Sequence, residues 1–434
     1  MSEEKKNLDE MPEEKAPVET KAEAPKLPLD KKTIAIIAGA VAAVLIIVLA
    51  LVLILGGNNN SDPHTHSFVD GKCACGESDP NYVPPHVHSY VDGKCECGAT
   101  DPNYVPPVTE QEYTLGMGTQ VNLDSSKKGT AQIDATVATV VLDKDGKIVA
   151  CKIDVAQNKI GVADGFLSIP AGFKTKVELK GDYGMASNPY SSDNNNDGII
   201  KEWYEQAAAF EAYVIGKTVA EVEAMATKTL DNGYVISADE ELLNAGCTIQ
   251  ITEFKAAVVK ACNDEFKVSF KSEGNFTLGV AINSYNDGSK DAEDADGVVQ
   301  VYSDIAAAVV DGGKVVAALN DAIQPKISFD FEGVITNKAF GGTKRELKEG
   351  YGMASNPYSS DNNDDGIIKE WYEQSAAFSK YVVGLTAAEI AELATEFKNE
   401  HHIAADEELL NAGCTIQITG IKAVVAKAAG YVAE

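Results

Sequence analysis

One block of this sequence is written twice, so whatever fold it adopts must be built twice. Tyr183–Gln206 reads YGMASNPYSSDNNNDGIIKEWYEQ, and Tyr351–Gln374 repeats it with one change, Asn196 becoming Asp364. A second block, ADEELLNAGCTIQIT, stands at Ala238–Thr252 and again at Ala405–Thr419. Between the blocks, 207–237 and 375–404 differ at many positions and by one residue in length. A period of about 167 residues is far too long for a solenoid and means two copies of one domain.

A chain of 434 residues accommodates two such copies, placed at 112–263 and 275–430, each long enough to bury a core of its own. The formal charge of −29 excludes nucleic acid as a partner, because nothing here neutralises phosphates. Of the 8 cysteines, four form two Cys-x-Cys pairs close to histidines. Among the rest, Cys151 and Cys262 correspond to Ala318 and Ala429 in the second copy, so a disulfide scaffold is not expected.

Residues 1–32 are mixed in charge, contain proline and lack large apolar side chains, the composition of a disordered tail. Thr33–Leu55 is free of charge and almost wholly apolar. As a helix it reaches about 34 Å, enough for a hydrocarbon core of about 30 Å, which predicts a single transmembrane span. A signal peptide would have a shorter apolar region and a small-residue cleavage site, whereas Gly56-Gly57-Asn58 follows here. Lys26, Lys31 and Lys32 precede the span, and the next lysine is Lys72. The positive-inside rule then expects a cytoplasmic N-terminus, a cell-membrane location and an extracytoplasmic bulk.

Within 61–107 a smaller unit recurs. His64-x-His66 and Cys73-x-Cys75 are followed by His86-x-His88 and Cys95-x-Cys97. Two imidazoles and two thiols are the donor set of a tetrahedral zinc site. Asp70-Gly71 and Asp92-Gly93 are hairpin turns that bring the two pairs together. Units this short need a staple, zinc or a Cys-x-Cys disulfide, and the paired histidines favour zinc. The flanking DPNYVPP segments read as stiff spacers. The module resembles short His/Cys repeats of Gram-positive surface proteins.

Each large copy opens with strand-like sequence. Thr130–Leu142, the turn Asp143–Gly146 and Lys147–Val155 correspond to Val298–Val310, Asp311–Gly313 and Lys314–Leu319. Ile200, Trp203, Ala207, Phe210 and Val214 then recur at helical spacing, and Gly216 ends that helix. Thr218 with Glu221, and Thr386 with Glu389, form capping boxes for the next helix. Thr252 and Thr419 are expected to cap a last helix. Strands followed by helices predict an α+β class.

Four features carry candidate chemistry. Gly246-Cys247-Thr248 and Gly413-Cys414-Thr415 precede a helix, a setting that suits an anion or equally a plain capped turn. Trp203 and Trp371, the 2 tryptophans, are expected to anchor the core or to stack on an aromatic ligand. Asp193, Asn195 and Asp197, with Asp361, Asn363 and Asp365, match positions one, three and five of a calcium loop. Position twelve is Tyr204 or Tyr372, so the bidentate glutamate is absent and a solvated loop remains the alternative. His64, His66, Cys73, Cys75, His86, His88, Cys95 and Cys97 are the candidate zinc ligands.

The GCT turn resembles the G-A-T-type motif of FMN-binding domains in sodium-pumping and electron-bifurcating membrane complexes. The whole repeat, with YGM, KEWYEQ and IGKT ahead of an acidic stretch and that turn, is closer still to flavinylated extracellular electron-transfer lipoproteins of Gram-positive bacteria (PplA-type). In those proteins a flavin transferase places FMN on the threonine as a phosphoester. The resemblance therefore implies Thr248 and Thr415 as attachment points, two covalent FMN per chain, and Gly246, Gly413, Cys247, Cys414, Trp203 and Trp371 around them. Cysteine stands where alanine is usual, Leu242 and Leu409 occupy the place of the family aspartate, and no lipobox is present.

The resulting expectation is one transmembrane helix, two His/Cys repeats and two homologous α+β FMN-binding-like domains. Such a protein relays electrons across the cell envelope from a membrane quinone or NADH dehydrogenase system, and the flavin rather than the chain does the redox chemistry. The alternative is a non-redox surface binding or adhesion module stabilised by zinc and calcium.

Overall fold

The computed structural model describes residues 65–82, 88–104, 109–189, 191–195, 197–357 and 359–432. The chain divides into two compact units, Met1–Val105 and Pro106–Glu434.

In the first unit, Phe68–Val69 pairs antiparallel with Lys72–Cys73, and Tyr90–Val91 with Lys94–Cys95. Asp70 (φ 50°) and Gly71 (φ 75°) close the first hairpin, and Asp92 (φ 48°) and Gly93 (φ 73°) the second. Positive φ at both central residues is the two-residue turn whose twist matches a hairpin, as the Asp-Gly pairs predict. The DPNY residues, expected as spacers, are part of each unit instead. The Asp79 N–H donates to the Gly71 carbonyl at 2.9 Å, and the Tyr82 ring covers Gly71. Asp101 and Tyr104 repeat both contacts on Gly93.

Among the described residues the second unit holds two five-stranded antiparallel sheets and two small hairpins, Thr227–Thr229 with Val235–Ser237 and Thr395–Lys398 with His401–Ala404. The first sheet runs Val268–Ser272, Gln111–Asn122, Thr130–Leu142, Ile148–Ala163, Phe166–Ser168. In the second, Gly297–Asp311 pairs with Phe276–Asn286 on one edge. Its other edge carries Lys314–Ile323 and then Lys326–Phe329, which pairs onward with Ile335–Ala339. One long strand of the first copy is thus two strands in the second. The break falls at Gln324-Pro325, where proline has no N–H to give the ladder.

Successive side chains of a strand point to opposite faces, and here both faces are covered. From Thr130–Leu142, Val137 and Val141 join Leu115, Ile282, Ile305 and Val309 between the sheets. Ala138, Val140 and Leu142 face outward under Trp203, Phe210, Val214 and Phe254. The second copy matches: Ala306 and Ala308 lie under Trp371, Phe378, Val382 and Val424. The layers are helix, sheet, sheet, helix, in a mixed α/β architecture. Each copy thus has a helix-on-sheet core of its own, as expected, and the inter-sheet core joins the two.

The helices follow the sequence closely. Trp203–Val214 buries Trp203, Ala207, Phe210 and Val214, and Thr218 and Thr386 cap Val219–Glu223 and Ala387–Ala391 through boxes with Glu221 and Glu389. Burying Phe210 and Phe378 contributes about 1.5–3 kcal/mol each. Thr252 and Thr419 are not caps. Each is the first helical residue of Thr252–Cys262 or Thr419–Ala428, behind Ile251 or Ile418.

The expected single-pass anchor is corrected. Among the described residues no helix is long and apolar enough to cross a membrane. Trp203–Val214, with 12 residues, reaches about 18 Å against about 30 Å of hydrocarbon, and its polar side faces solvent. The stretch 33–55 and the tail 1–32 lie outside the described residues. The membrane-anchored, extracytoplasmic placement that rested on them is not retained.

Candidate functional site

Each threonine turn is built by a short helix and a clamp. Glu240–Asn244 is capped by Asp239, whose carboxylate also accepts from the Tyr213 hydroxyl at 2.7 Å. The chain then turns at Gly246 (φ 93°), which lies against the Lys201 stem, while Lys201 Nζ donates to the Ala245 carbonyl at 2.7 Å. The left-handed dihedral is what calls for glycine here, and the absent Cβ also leaves room for the Lys201 stem, whose Cδ would stand 2.6 Å from it. Cys247 follows, fully buried, and burial pushes its thiol up to about 12. Cys414 matches it. Both cysteines are core residues, and neither they nor Gly246 and Gly413 line the cavities below.

Thr248 is 5 % exposed. Its N–H and its hydroxyl both donate to Gln206 Oε1, at 2.9 and 3.2 Å. Gln206 Nε2 donates to the Lys201 carbonyl at 2.8 Å. Thr415 repeats the arrangement with Gln374, at 2.8 and 3.2 Å. The glutamine of KEWYEQ thus orients the threonine of the other repeated block, which explains why both blocks are kept together.

Thr248 and Trp203 line a cavity of about 490 Å³, and Thr415 and Trp371 one of about 350 Å³. Both volumes fall within the range of small-molecule sites. Trp203 is a core anchor, edge-on to Phe254 at 5.5 Å, as one of its two sequence readings expects, and its ring also borders the cavity.

Each cavity contains a lysine that sequence reasoning missed. Lys176 Nζ lies 4.9 Å from the Tyr183 ring centre and 5.2 Å from Trp203. Lys344 Nζ lies 4.6 Å from both Tyr302 and Tyr351 and 5.4 Å from Trp371. Burial holds both ammonium groups down at about 8, which leaves them mainly charged at neutral pH. Their signal was present in the sequence: Thr175-Lys176-x-Glu178-Leu179-Lys180 recurs as Thr343-Lys344-x-Glu346-Leu347-Lys348, a capping box that presents the lysine at the first helical position.

The Asn/Asp loops press on the same turns. Asn194 Nδ2 donates to the Thr248 carbonyl at 2.9 Å, and Asn362 Nδ2 to that of Thr415 at 2.8 Å. Asn195 and Asn363 reach the Leu243 and Leu410 carbonyls at 3.1 and 3.3 Å. Asp193 accepts the Gly198 N–H at 2.8 Å, and Asp361 that of Gly366 at 2.7 Å. Asn195 Oδ1, Asp361 Oδ1 and Asn363 Oδ1 are buried and without a hydrogen-bond partner. At the start of Trp203–Val214, Glu202 accepts the Met185 and Ala186 N–H at 2.9 and 3.1 Å, and Glu205 accepts the Glu202 N–H at 2.9 Å.

In the first unit, His66, Cys73 and Cys75 gather so that one ligand atom from each lies within 4.8 Å of the others, as do His88, Cys95 and Cys97. His66 Nδ1 is 3.4 Å from Cys73 Sγ and 3.2 Å from Cys75 Sγ. His88 Nδ1 is 3.3 Å from Cys97 Sγ. The Cys75 backbone and side chain, together with His66, lower the Cys73 thiol to about 7, favouring the thiolate that binds metal. Both groups can hold a metal such as zinc. None of the four cysteines is in a disulfide. His64 and His86 lie outside the described residues.

Comparison with protein-family models, with curated proteins and with solved structures returns no match.

Proposed function

We propose that the chain is a flavoprotein carrying FMN as a phosphoester on Thr248 and Thr415, and that it relays electrons between redox partners. The observation that carries this reading is the doubled site. Each threonine lines a ligand-sized cavity beside a tryptophan and a buried lysine. Neither lysine has a carboxylate within ion-pair distance, although Asp134 and Asp154 act on Lys176 and Asp304, Asp321 and Asp287 on Lys344 from further away, so each ammonium group is available to an anionic occupant of its cavity. FMN, when bound, supplies the electron-transfer chemistry. The chain's share is to orient the threonine hydroxyl through Gln206 or Gln374, wall off water with Trp203 or Trp371, and hold a cation in the cavity. A flavin transferase and a quinone- or NADH-linked donor are the partners this reading requires.

The decisive experiment is intact mass after co-expression with a flavin transferase. The parent chain gains two FMN-phosphoester increments and fluoresces as flavin on a denaturing gel. Thr248→Val loses one increment, the double Thr248→Val/Thr415→Val variant loses both, and Cys247→Ala keeps both. An unmodified parent rejects the reading.

The second reading is a non-redox binding module stabilised by zinc and calcium. The unpartnered oxygens of Asn195, Asp361 and Asn363 favour a cation in the loops. Calcium then raises the melting temperature of the chain and a chelator reverses it. Asn363→Ala abolishes the second loop's share of that rise.

A further inference from the structure

The two His/Cys units share one backbone, and each histidine stacks on the ring two residues on, Phe68 or Tyr90, but the residue after the Cys-x-Cys-Gly turn is Glu77 in the first and Ala99 in the second. The Glu77 carbonyl accepts the Cys73 N–H at 2.9 Å, and the Ala99 carbonyl accepts the Cys95 N–H at 2.9 Å. Only the first unit carries a carboxylate at this place, and it reaches the imidazole: Glu77 Oε2 is 3.3 Å from His66 Nε2.

The ring's two nitrogens therefore have different neighbours. Nδ1 faces both thiols of the first group, and Nε2 faces Glu77. A metal ion takes the lone pair of a neutral imidazole. With the thiols at Nδ1, the ion binds at Nδ1 and the proton must sit on Nε2, where Glu77 accepts it. The geometry points to Glu77 as a positioning residue that holds His66 in its metal-binding tautomer and raises the affinity of the first His/Cys group for a zinc-class cation. Its carboxylate lies on the far side of the ring from the thiols, so it acts through His66 and not as a ligand. Partners of this kind on a ligating histidine typically change metal affinity by about 10- to 100-fold. In the absence of metal the same contact is exposed, with a Glu77 side chain 71 % exposed, and is worth little to the fold. That contrast separates positioning from a merely structural role. The inference rests on the metal reading of the two groups.

The test uses the full chain with Cys95→Ser and Cys97→Ser, so that the first group alone binds. Zinc affinity is measured by chelator competition, with cobalt(II) absorption reporting thiolate ligation. Glu77→Ala lowers zinc affinity about tenfold or more. Glu77→Gln, which keeps an acceptor without the charge, recovers part of the loss. Nitrogen-15 spectra of the zinc-loaded chain show His66 protonated at Nε2, and the melting of the metal-free chain is unchanged by Glu77→Ala. Affinity within twofold of the parent, or His66 bound to zinc through Nε2, overturns the role of Glu77. A parent chain that binds no zinc overturns the metal site along with it, a result distinct from zinc binding that ignores Glu77.

Discussion

The two cavities differ at a pair of facing residues. In the second copy Asp304 and Gly420 occupy the places of Thr136 and Glu253 in the first. Gly420 makes the exchange possible, since a Cβ there would stand 2.1 Å from Asp304 Oδ2. Asp304 is 3 % exposed, its Oδ2 has no hydrogen-bond partner, and burial raises its carboxyl to about 7 despite Lys344 nearby. The folded state therefore keeps a proton that an unfolded aspartate, at about 3.9, has already lost. This group's contribution to stability is full below about pH 4, falls as the pH rises toward 7, and is level beyond. Asp304→Asn, with Lys344, Tyr285 and Tyr302 left in place, removes that dependence. The parent-minus-variant unfolding free energy should then decline by up to about 1.4 kcal/mol per pH unit across that window, read from urea titrations at fixed pH values. A constant difference from pH 4 to 7 would refute the assignment.

At the scale of the element, the threonine turn depends on the helix that faces it. Gln374 is 1 % exposed, accepts the N–H and hydroxyl of Thr415, and donates to the Lys369 carbonyl at 2.8 Å. Gln374→Leu fills the same space but leaves a buried N–H without an acceptor, which costs about 1–3 kcal/mol. Urea unfolding should register that loss, and hydrogen exchange at the Thr415 amide should accelerate well beyond that of the surrounding helices. Because Gln206 makes the same bonds to Thr248, Gln206→Leu should reproduce the effect in the first copy. An unperturbed Thr415 amide in Gln374→Leu would remove the glutamine from its positioning role.

For the whole second unit, the consequential contact is one that neither repeat makes alone. Arg345 Nη2 lies 3.1 Å from Asp264 Oδ2, and its Nε lies 3.3 Å from Asp321 Oδ2. Asp264 follows the last helix of the first copy and also accepts the Met117 N–H at 3.1 Å, whereas Asp321 belongs to the second copy. All three ionic side chains are nearly dry. Truncating one partner of such a network leaves charges unpaired, so Arg345→Ala should cost about 3–5 kcal/mol. With a core shared between the sheets, residues 106–434 should unfold in one cooperative transition. Two separate transitions in the parent chain, one per copy, would contradict the shared core.

The sequence alone determined the doubled architecture, the Asp-Gly hairpins, the capping boxes at Thr218 and Thr386, and the apolar stripe from Trp203 to Val214. These rest on local rules, namely turn dihedrals, helix ends and side-chain period, which act over a few residues and are therefore legible in a linear string. The joining of the two copies was decided only by tertiary structure. Only the second half of a strand such as Thr130–Leu142 is apolar on both faces, and nothing local says whether the second face meets a helix or another sheet. The candidate sites divide the same way. Thr248, Thr415 and the tryptophans announce themselves by repetition, while Lys176, Lys344, Gln206 and Asp304 acquire meaning only from what folding brings beside them. Cys247 and Cys414 show the converse: adjacency to the threonine in sequence made them candidates, yet the turn at Gly246 sends the thiol into the core and the hydroxyl to the cavity wall. Neighbours in the chain need not share a surface, because a single left-handed residue redirects the next two side chains.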